Sequence, residues 1–324
     1  VPRVVWTQLD LYGAVKGDTL VIKNTKGIFF PLNDRWEGAT GRVDWTRTGL
    51  DENQVYAELK RYKIQLRQQY YEADSAVFYN KQYFNKPLVG RLMDKAVFDA
   101  KPETSQYPRF SSYTKRYKIA GVVEGLVDYD GGFTMNGNKF VGSGSKEEDA
   151  MLVFKRNNKP FLIASSKGFI FKKGSISSQT VSVKMILDKD SIVHPGLQLN
   201  LNLERKELSL IRTQEGISKS PYYNTFHNID MYIEELNWKL DSAKIDMRTL
   251  IGTTEGNAFF ESSNYFREAR FMDLMGYGQV NPLTQLKDYW KIMGESREFS
   301  GQGFASFLKY DLHLVQPMLI QLSA

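Results

Sequence analysis

Three observations predict a mainly β chain, with stacked or repeated antiparallel strands in a solenoid-like or sandwich-like arrangement and a C-terminal helix-turn-helix-like module. Across residues 121–203, short apolar pieces are separated every few positions by Gly, Asn, Asp or Ser, which is the punctuation of strands and turns. Apolar residues alternate through Val55, Ala57 and Leu59 and again through Leu197, Leu199, Leu201 and Leu203, the two-residue period of a strand with one buried face. Beyond residue 260 the apolar period lengthens to three and four, as on a helix.

Residues 1–117 read as a first region of strand repeats. Apolar segments at 20–22 and 28–30 flank Asn24-Thr25-Lys26-Gly27, which reads as a turn, and Val43 and Trp45 share a face if extended. The alternation that starts at Val55 slips phase at Lys60-Arg61 and resumes with Tyr62, Ile64 and Leu66, so a bulge or bend is required there. Tyr71, Ala73, Val77 and Tyr79 carry a further strand, and residues 88–93 another. Glycines paired with apolar residues recur at 38–45, 86–94 and 131–142, a spacing suited to rungs or stacked strands.

Residues 118–260 read as a central β domain, with strands at 151–155, 161–164, 168–171 and 180–187, a short strand at 209–212, and alternation with one slip over 229–240. Met247, Thr249 and Ile251 add a last strand. Residues 261–324 read as a helical module. Ser262-Ser263-Asn264 suits the start of a helix running to Gly276, a second helix covers 283–293, and two short helices break near Tyr310-Asp311. The chain stops where a winged helix would continue into two strands, which reads as a truncated module. Its second helix offers His313, Gln316 and Gln321 but no cation, so nucleic acid is not an expected partner.

With 324 residues the chain can bury a sizeable core, and its net charge of +6 comes from 43 Lys and Arg against 37 Asp and Glu. Basic and acidic residues interleave in most segments; the densest basic run gathers Lys60, Arg61, Lys63 and Arg67, then Lys115, Arg116 and Lys118. Cysteine is absent, which excludes disulfides, thiolate metal sites and a cysteine nucleophile. No run reaches the roughly 18 apolar residues of a spanning helix. The opening Val-Pro-Arg carries neither an initiator Met nor a signal peptide, so both ends read as cuts in something larger.

Several motifs fail on spacing. Asp128-Tyr129-Asp130-Gly131 lacks the later ligands of a calcium loop, and Gly142-Ser-Gly-Ser-Lys146 lacks the spacing of a phosphate loop and reads as a flexible turn. His194, His227 and His313 fit no zinc spacing. His227 with Ser220 and Asp230 has no nucleophile elbow to support a triad, and Glu234 and Glu235, adjacent on a strand, face opposite ways. No catalytic residue, metal ligand set or cofactor is therefore assigned. The binding residues expected are Tyr222, Tyr223 and His227 in the loop at 218–227, and Lys60, Arg61, Lys63 and Arg67.

The segments at 129–145, 190–198 and 210–223 resemble parts of very long, exported β-rich cell-envelope proteins of Gram-negative bacteria. The resemblance implies an internal fragment of a far longer polypeptide, located in the periplasm or at the cell surface, and it carries over no activity. Residues 71–79 are also similar to strands of periplasmic bridge proteins that carry lipopolysaccharide. The expectation is a non-enzymatic structural or binding segment acting through extended β surface, with other envelope proteins or further segments of the same polypeptide as partners. The alternatives are a carbohydrate-active enzyme or glycan-binding module, and a lipid-carrying β-groove protein.

Overall fold

The computed structural model describes residues 2–248, 258–263, 265, 266, 268, 272, 280–294 and 298–323. The mainly β class with C-terminal helices holds. The chain divides into two compact units, Val1–Ser178 with Asn200–Glu207, and Gln179–Leu199 with Leu208–Ala324. These units cut across the boundaries read at 117 and 260, because long-range strand pairing, invisible to composition, decides which segments belong together.

In the first unit β1 (Val4–Val15), β2 (Asp18–Phe30) and β3 (Arg35–Asp44) form an antiparallel meander. β3 then pairs with both β4 (Val55–Leu59) and β5 (Tyr62–Gln65), so the phase slip at Lys60-Arg61 is a break between two strands on one partner. β6 (Tyr70–Asn80), β7 (Leu88–Lys95) and β8 (Arg109–Ser112) continue this ladder. Next come β9 (Tyr117–Val123), β10 (Val127–Gly131), β11 (Thr134–Asn136), β12 (Lys139–Ser143), β13 (Ala150–Arg156), β14 (Lys159–Ser166) and β15 (Gly168–Lys172). They sort into two ladders: β8, β11, β12 and β15 extend the first, while β9, β10, β13 and β14 make the second.

Aromatic rings fill the space between these ladders. Phe78 and Phe110 stack with centroids 4.4 Å apart, Phe140 and Phe171 at 4.1 Å, and Phe133 lies 5.7 Å from Phe78 and 4.7 Å from Phe140. From the second ladder Tyr129 meets Phe140 and Phe171 edge-on at 5.3 and 5.2 Å, a geometry that sets the positive edge of one ring against the negative face of another. Glycine makes this packing possible: a Cβ at Gly131 or Gly142 would collide with the Tyr129 phenol. The repeating glycine-and-apolar signal of the sequence is thus a set of strand positions over which a neighbouring ring lies.

Two local readings change. Residues 24–27 are no turn: β2 runs on through them, with Asn24 at φ 51° and its N–H donating to Asp10 Oδ1 at 2.8 Å. Pairing with β1 on one side and β3 on the other holds both halves of β2 in one strand, and the irregularity becomes a bulge. In β6 the buried side switches at Ser75, φ 59°, so Tyr71 and Ala73 are followed inside by Ala76 and Phe78 rather than by Val77 and Tyr79.

β16 (Ser175–Leu187), β17 (Asp190–Asn202) and β18 (Glu207–Ile211) have residues in both units. The second unit adds β19 (Tyr222–Asn224), β20 (Ile229–Tyr232), β21 (Glu235–Lys239), β22 (Ile245–Arg248) and β23 (Phe259–Ser262). β17 pairs with β19, β19 with β20, β20 with β23, and β21 with β22, all antiparallel. Helix α1 (Pro282–Ile292) starts under the Asn281 side chain, which accepts from Leu283 N at 2.9 Å, and α2 (Gly301–Leu308) starts under Ser300, which accepts from Gly303 N at 3.0 Å. Lys309 at φ 61° ends α2 before α3 (Leu312–Ser323), the break expected near residue 310. Tyr289, Phe304, Ala305 and Val315 form the core of this helical part. The helix expected at 264–276 falls almost wholly outside the described residues, as does the strand beyond residue 248.

Candidate functional site

Lys60 and Arg61 stand exposed in the turn between β4 and β5, and Lys63 projects from β5. Lys63 Nζ lies 3.5 Å from Glu37, and Arg67 donates to Asp34 at 2.6 Å. Arg61 and Lys63 line a surface depression of about 480 Å³, but Glu37, Glu72 and Asp74 line it too. Arg91 in turn reaches Glu72 at 3.6 Å and Asp74 at 3.0 Å. The expected basic patch is therefore a field of alternating charge. Cross-strand neighbours on β3 and β6 supply the carboxylates, and no linear reading places them there. In the other half of the basic run Arg116 is likewise occupied, pairing with Asp130 at 2.6 Å and Glu148 at 3.0 Å.

The loop at 218–227 divides its expected residues between inside and outside. Tyr222 is buried on β19, paired with Met231 of β20, and its ring lies 4.7 Å from that of His194. Burial pushes the Tyr222 hydroxyl up, and no hydrogen-bond partner among the described residues meets it, so Tyr222 is a core residue rather than a contact residue. Alternation along a three-residue strand leaves Tyr223 on the other face, where its hydroxyl donates to Asn228 Oδ1 at 2.9 Å. His227 is exposed at the tip of the turn, edge-on to Phe226, and with Asn224 and residues 187–190 they line a depression of about 450 Å³. Phe226 is 65% exposed.

His194 explains what the buried end of this region does. Its Nδ1 accepts from Gly196 N at 3.0 Å and its Nε2 donates to the Ser220 carbonyl at 2.8 Å, which defines a neutral tautomer with both nitrogens occupied. Burial lowers its pKa to about 4. Glu235, one of the two adjacent carboxylates noted in the sequence, accepts from Ser209 Oγ at 2.6 Å and Arg248 Nε at 2.8 Å. Burial pushes its pKa up, and these donors outweigh it and hold the carboxyl below its ordinary value.

One cluster escaped sequence reasoning altogether. Arg47, in the turn after β3, donates to Asp18 at 3.0 Å, to Asp94, and to the Lys95 carbonyl at 3.2 Å. Asp18 also accepts from Val97 N at 2.8 Å. Asp94 is 1% exposed, and burial, opposed by the Arg47 charge, pushes it up to about 6. The Tyr71 hydroxyl is buried without a hydrogen-bond partner among the described residues, its pKa raised first by burial and then by the Asp94 charge. The cluster borders a depression of about 470 Å³ with Thr19, Lys101 and Ser105. Chemically it is a tether: one guanidinium holds both carboxylates and so joins the start of β2, the turn after β3 and the end of β7. Three residues 29 and 47 positions apart give no sequence signal.

Among the described residues no group of three His, Asp or Glu side chains is placed to hold a metal ion, and no helix is long and apolar enough to cross a membrane. Comparison with protein-family models, with curated proteins and with solved structures finds no match to this chain.

Proposed function

We propose that the chain is a non-enzymatic structural or binding segment of an exported cell-envelope protein, acting through extended β surface on other envelope proteins or on further segments of its own polypeptide. The observation that carries this reading is the β1 edge. Twelve residues long, β1 pairs among the described residues with β2 alone and leaves Val4, Val5, Trp6 and Tyr12 43–64% exposed. A long, apolar, half-paired strand is a template for another strand, which gains main-chain hydrogen bonds from the edge and specificity from alternate side chains.

The ring-filled space between the ladders of the first unit argues against a lipid groove there, since a trough needs apolar walls that no side chain fills. Glu235 and the Asp18–Asp94 pair argue against a glycosidase, because each carboxylate is held by arginine. The test places a photo-crosslinking residue at Val5, and at Lys60 for comparison, in cells that make the protein, followed by fractionation. The reading expects envelope localisation and discrete adducts from position 5, to an envelope protein or to the parent polypeptide. Recovery in the cytosol, or no adduct from position 5, would sink it.

A further inference from the structure

Three connections of the first unit meet at a depression of about 490 Å³: residues 112–115 after β8, Gly132 to Thr134 between β10 and β11, and residues 143–147 after β12. From this geometry we infer a binding site for an anionic sugar, a pyranose carrying a carboxylate or a phosphate. The inference stands on this depression and is independent of the envelope reading.

Backbone groups around the depression are already engaged. Gly132 N donates to the Ser143 carbonyl at 2.7 Å, Gly144 N to the Lys167 carbonyl at 3.0 Å, and Ser145 N to the Glu148 carbonyl at 2.7 Å. Ser145 Oγ accepts from Glu147 N at 3.2 Å and Glu148 N at 2.9 Å. Arg116 reaches Glu148 from β9's approach, and Lys167 holds Asp149 at 2.6 Å. The glycine-serine stretch read as a flexible turn is thus a braced loop, and a Cβ at Gly144 would strike the backbone of Glu148 and Asp149. Bracing matters for binding because an ordered loop loses little entropy when a ligand arrives.

What remains unsatisfied is side chain. The hydroxyls of Thr114, Thr134 and Ser143 have no hydrogen-bond partner among the described residues, and the ammonium groups of Lys115 and Lys146 have no ion pair. Neighbouring cations do have them: Arg116 is taken by Asp130 and Glu148, and Lys167 by Asp149. Glu147 is the single carboxylate in the lining, so the two lysines leave it with net positive charge. Hydroxyl groups on three sides suit the donor and acceptor pattern of a polyol, and two ammonium groups suit one negative substituent. The volume falls within the range of small-ligand sites and fits one or two sugar rings.

The experiment is calorimetric titration of the full chain at low salt with a hexuronic acid disaccharide, a hexose 6-phosphate, the matching neutral disaccharide and inorganic phosphate. The inference expects one of the two anionic sugars to bind, the neutral sugar to bind at least tenfold more weakly, and phosphate alone to be weaker than the sugar phosphate. K115Q combined with K146Q should weaken the anionic sugar at least tenfold, T134V by about fivefold, and K159Q, on an exposed hairpin, not at all. These lysines are exposed, so the variants keep the fold, which a circular dichroism melt verifies. Equal binding of the neutral sugar, equal binding of phosphate alone, insensitivity to the double substitution, or no binding by any probe would each overturn the inference.

Discussion

Each unit takes an ionisable group out of water, and they do it in opposite ways. The first buries Asp94 as a carboxylate and sets Arg47 against it; the second buries His194 as a neutral imidazole and satisfies both ring nitrogens from the backbone. A charge inside a protein is tolerated only with a counter-charge, whereas a neutral ring needs only hydrogen bonds. The pH consequences run in opposite directions. Asp94 is raised from 3.8 to about 6, so its contribution to stability is present below 3.8 and lost as pH rises through about 6. His194 is lowered from 6.5 to about 4, so its contribution is present above 6.5 and lost as pH falls towards 4. Mild acid therefore relieves the first site and loads the second.

The largest expected effect breaks the first side of this contrast. Arg47→Met leaves Asp94 buried without its partner and should lower stability by roughly 3–5 kcal/mol at pH 7.5, with a smaller loss at pH 4.5 where Asp94 is protonated. Urea unfolding at both values measures it, and a loss under 1 kcal/mol at pH 7.5 would show that the pair is no tether. Next is the second side: between pH 7 and 4 the His194 contribution to be lost is on the order of 3 kcal/mol. His194→Gln should flatten the pH series by that amount; a variant as steep as the parent would mean that other groups set the slope.

A smaller effect separates ring packing from charge. Gly142→Ala forces the Tyr129 ring aside and should cost about 1–3 kcal/mol, independent of pH. Gly168→Ala, whose Cβ would meet only the Gly142 carbonyl at an ordinary 3.7 Å, is the control and should stay within 0.5 kcal/mol or so. The smallest concerns Tyr71 and Tyr222, buried phenols without partners among the described residues, one in each unit. Tyr71→Phe and Tyr222→Phe remove a desolvated hydroxyl that gains no hydrogen bond, so each should be neutral or stabilising by up to about 1 kcal/mol. A clear destabilisation of either in thermal melts would reveal a hydrogen bond to bound water.

Much of the second unit's helical part was legible because its signals are local. The helix read over 283–293 and the break read near Tyr310-Asp311 rest on apolar period and termination within a few residues, and the structure places helices accordingly. The strand break at Lys60-Arg61 was legible for the same reason, since a phase slip shows in the alternation itself. Ser75 was not, because a serine with positive φ leaves no mark beyond the neighbours that force it. The candidate site was half legible. Tyr223 is half-buried and His227 exposed, yet Tyr222 turned inward, and Lys63 and Arg67 met carboxylates from other parts of the chain.

By itself the sequence determined the β class, the helices towards its C-terminal end, and the exclusion of disulfide and thiolate chemistry. These follow from propensity, period and composition, which act within a few residues. Only the tertiary structure decided which strands share a ladder, that the space between the ladders is filled with aromatic rings, and that Arg47 finds Asp18 and Asp94. It also decided which lysines keep a free charge. Pairing and burial depend on residues dozens of positions apart, and the free energy of a charge or a ring is set by what the fold places beside it.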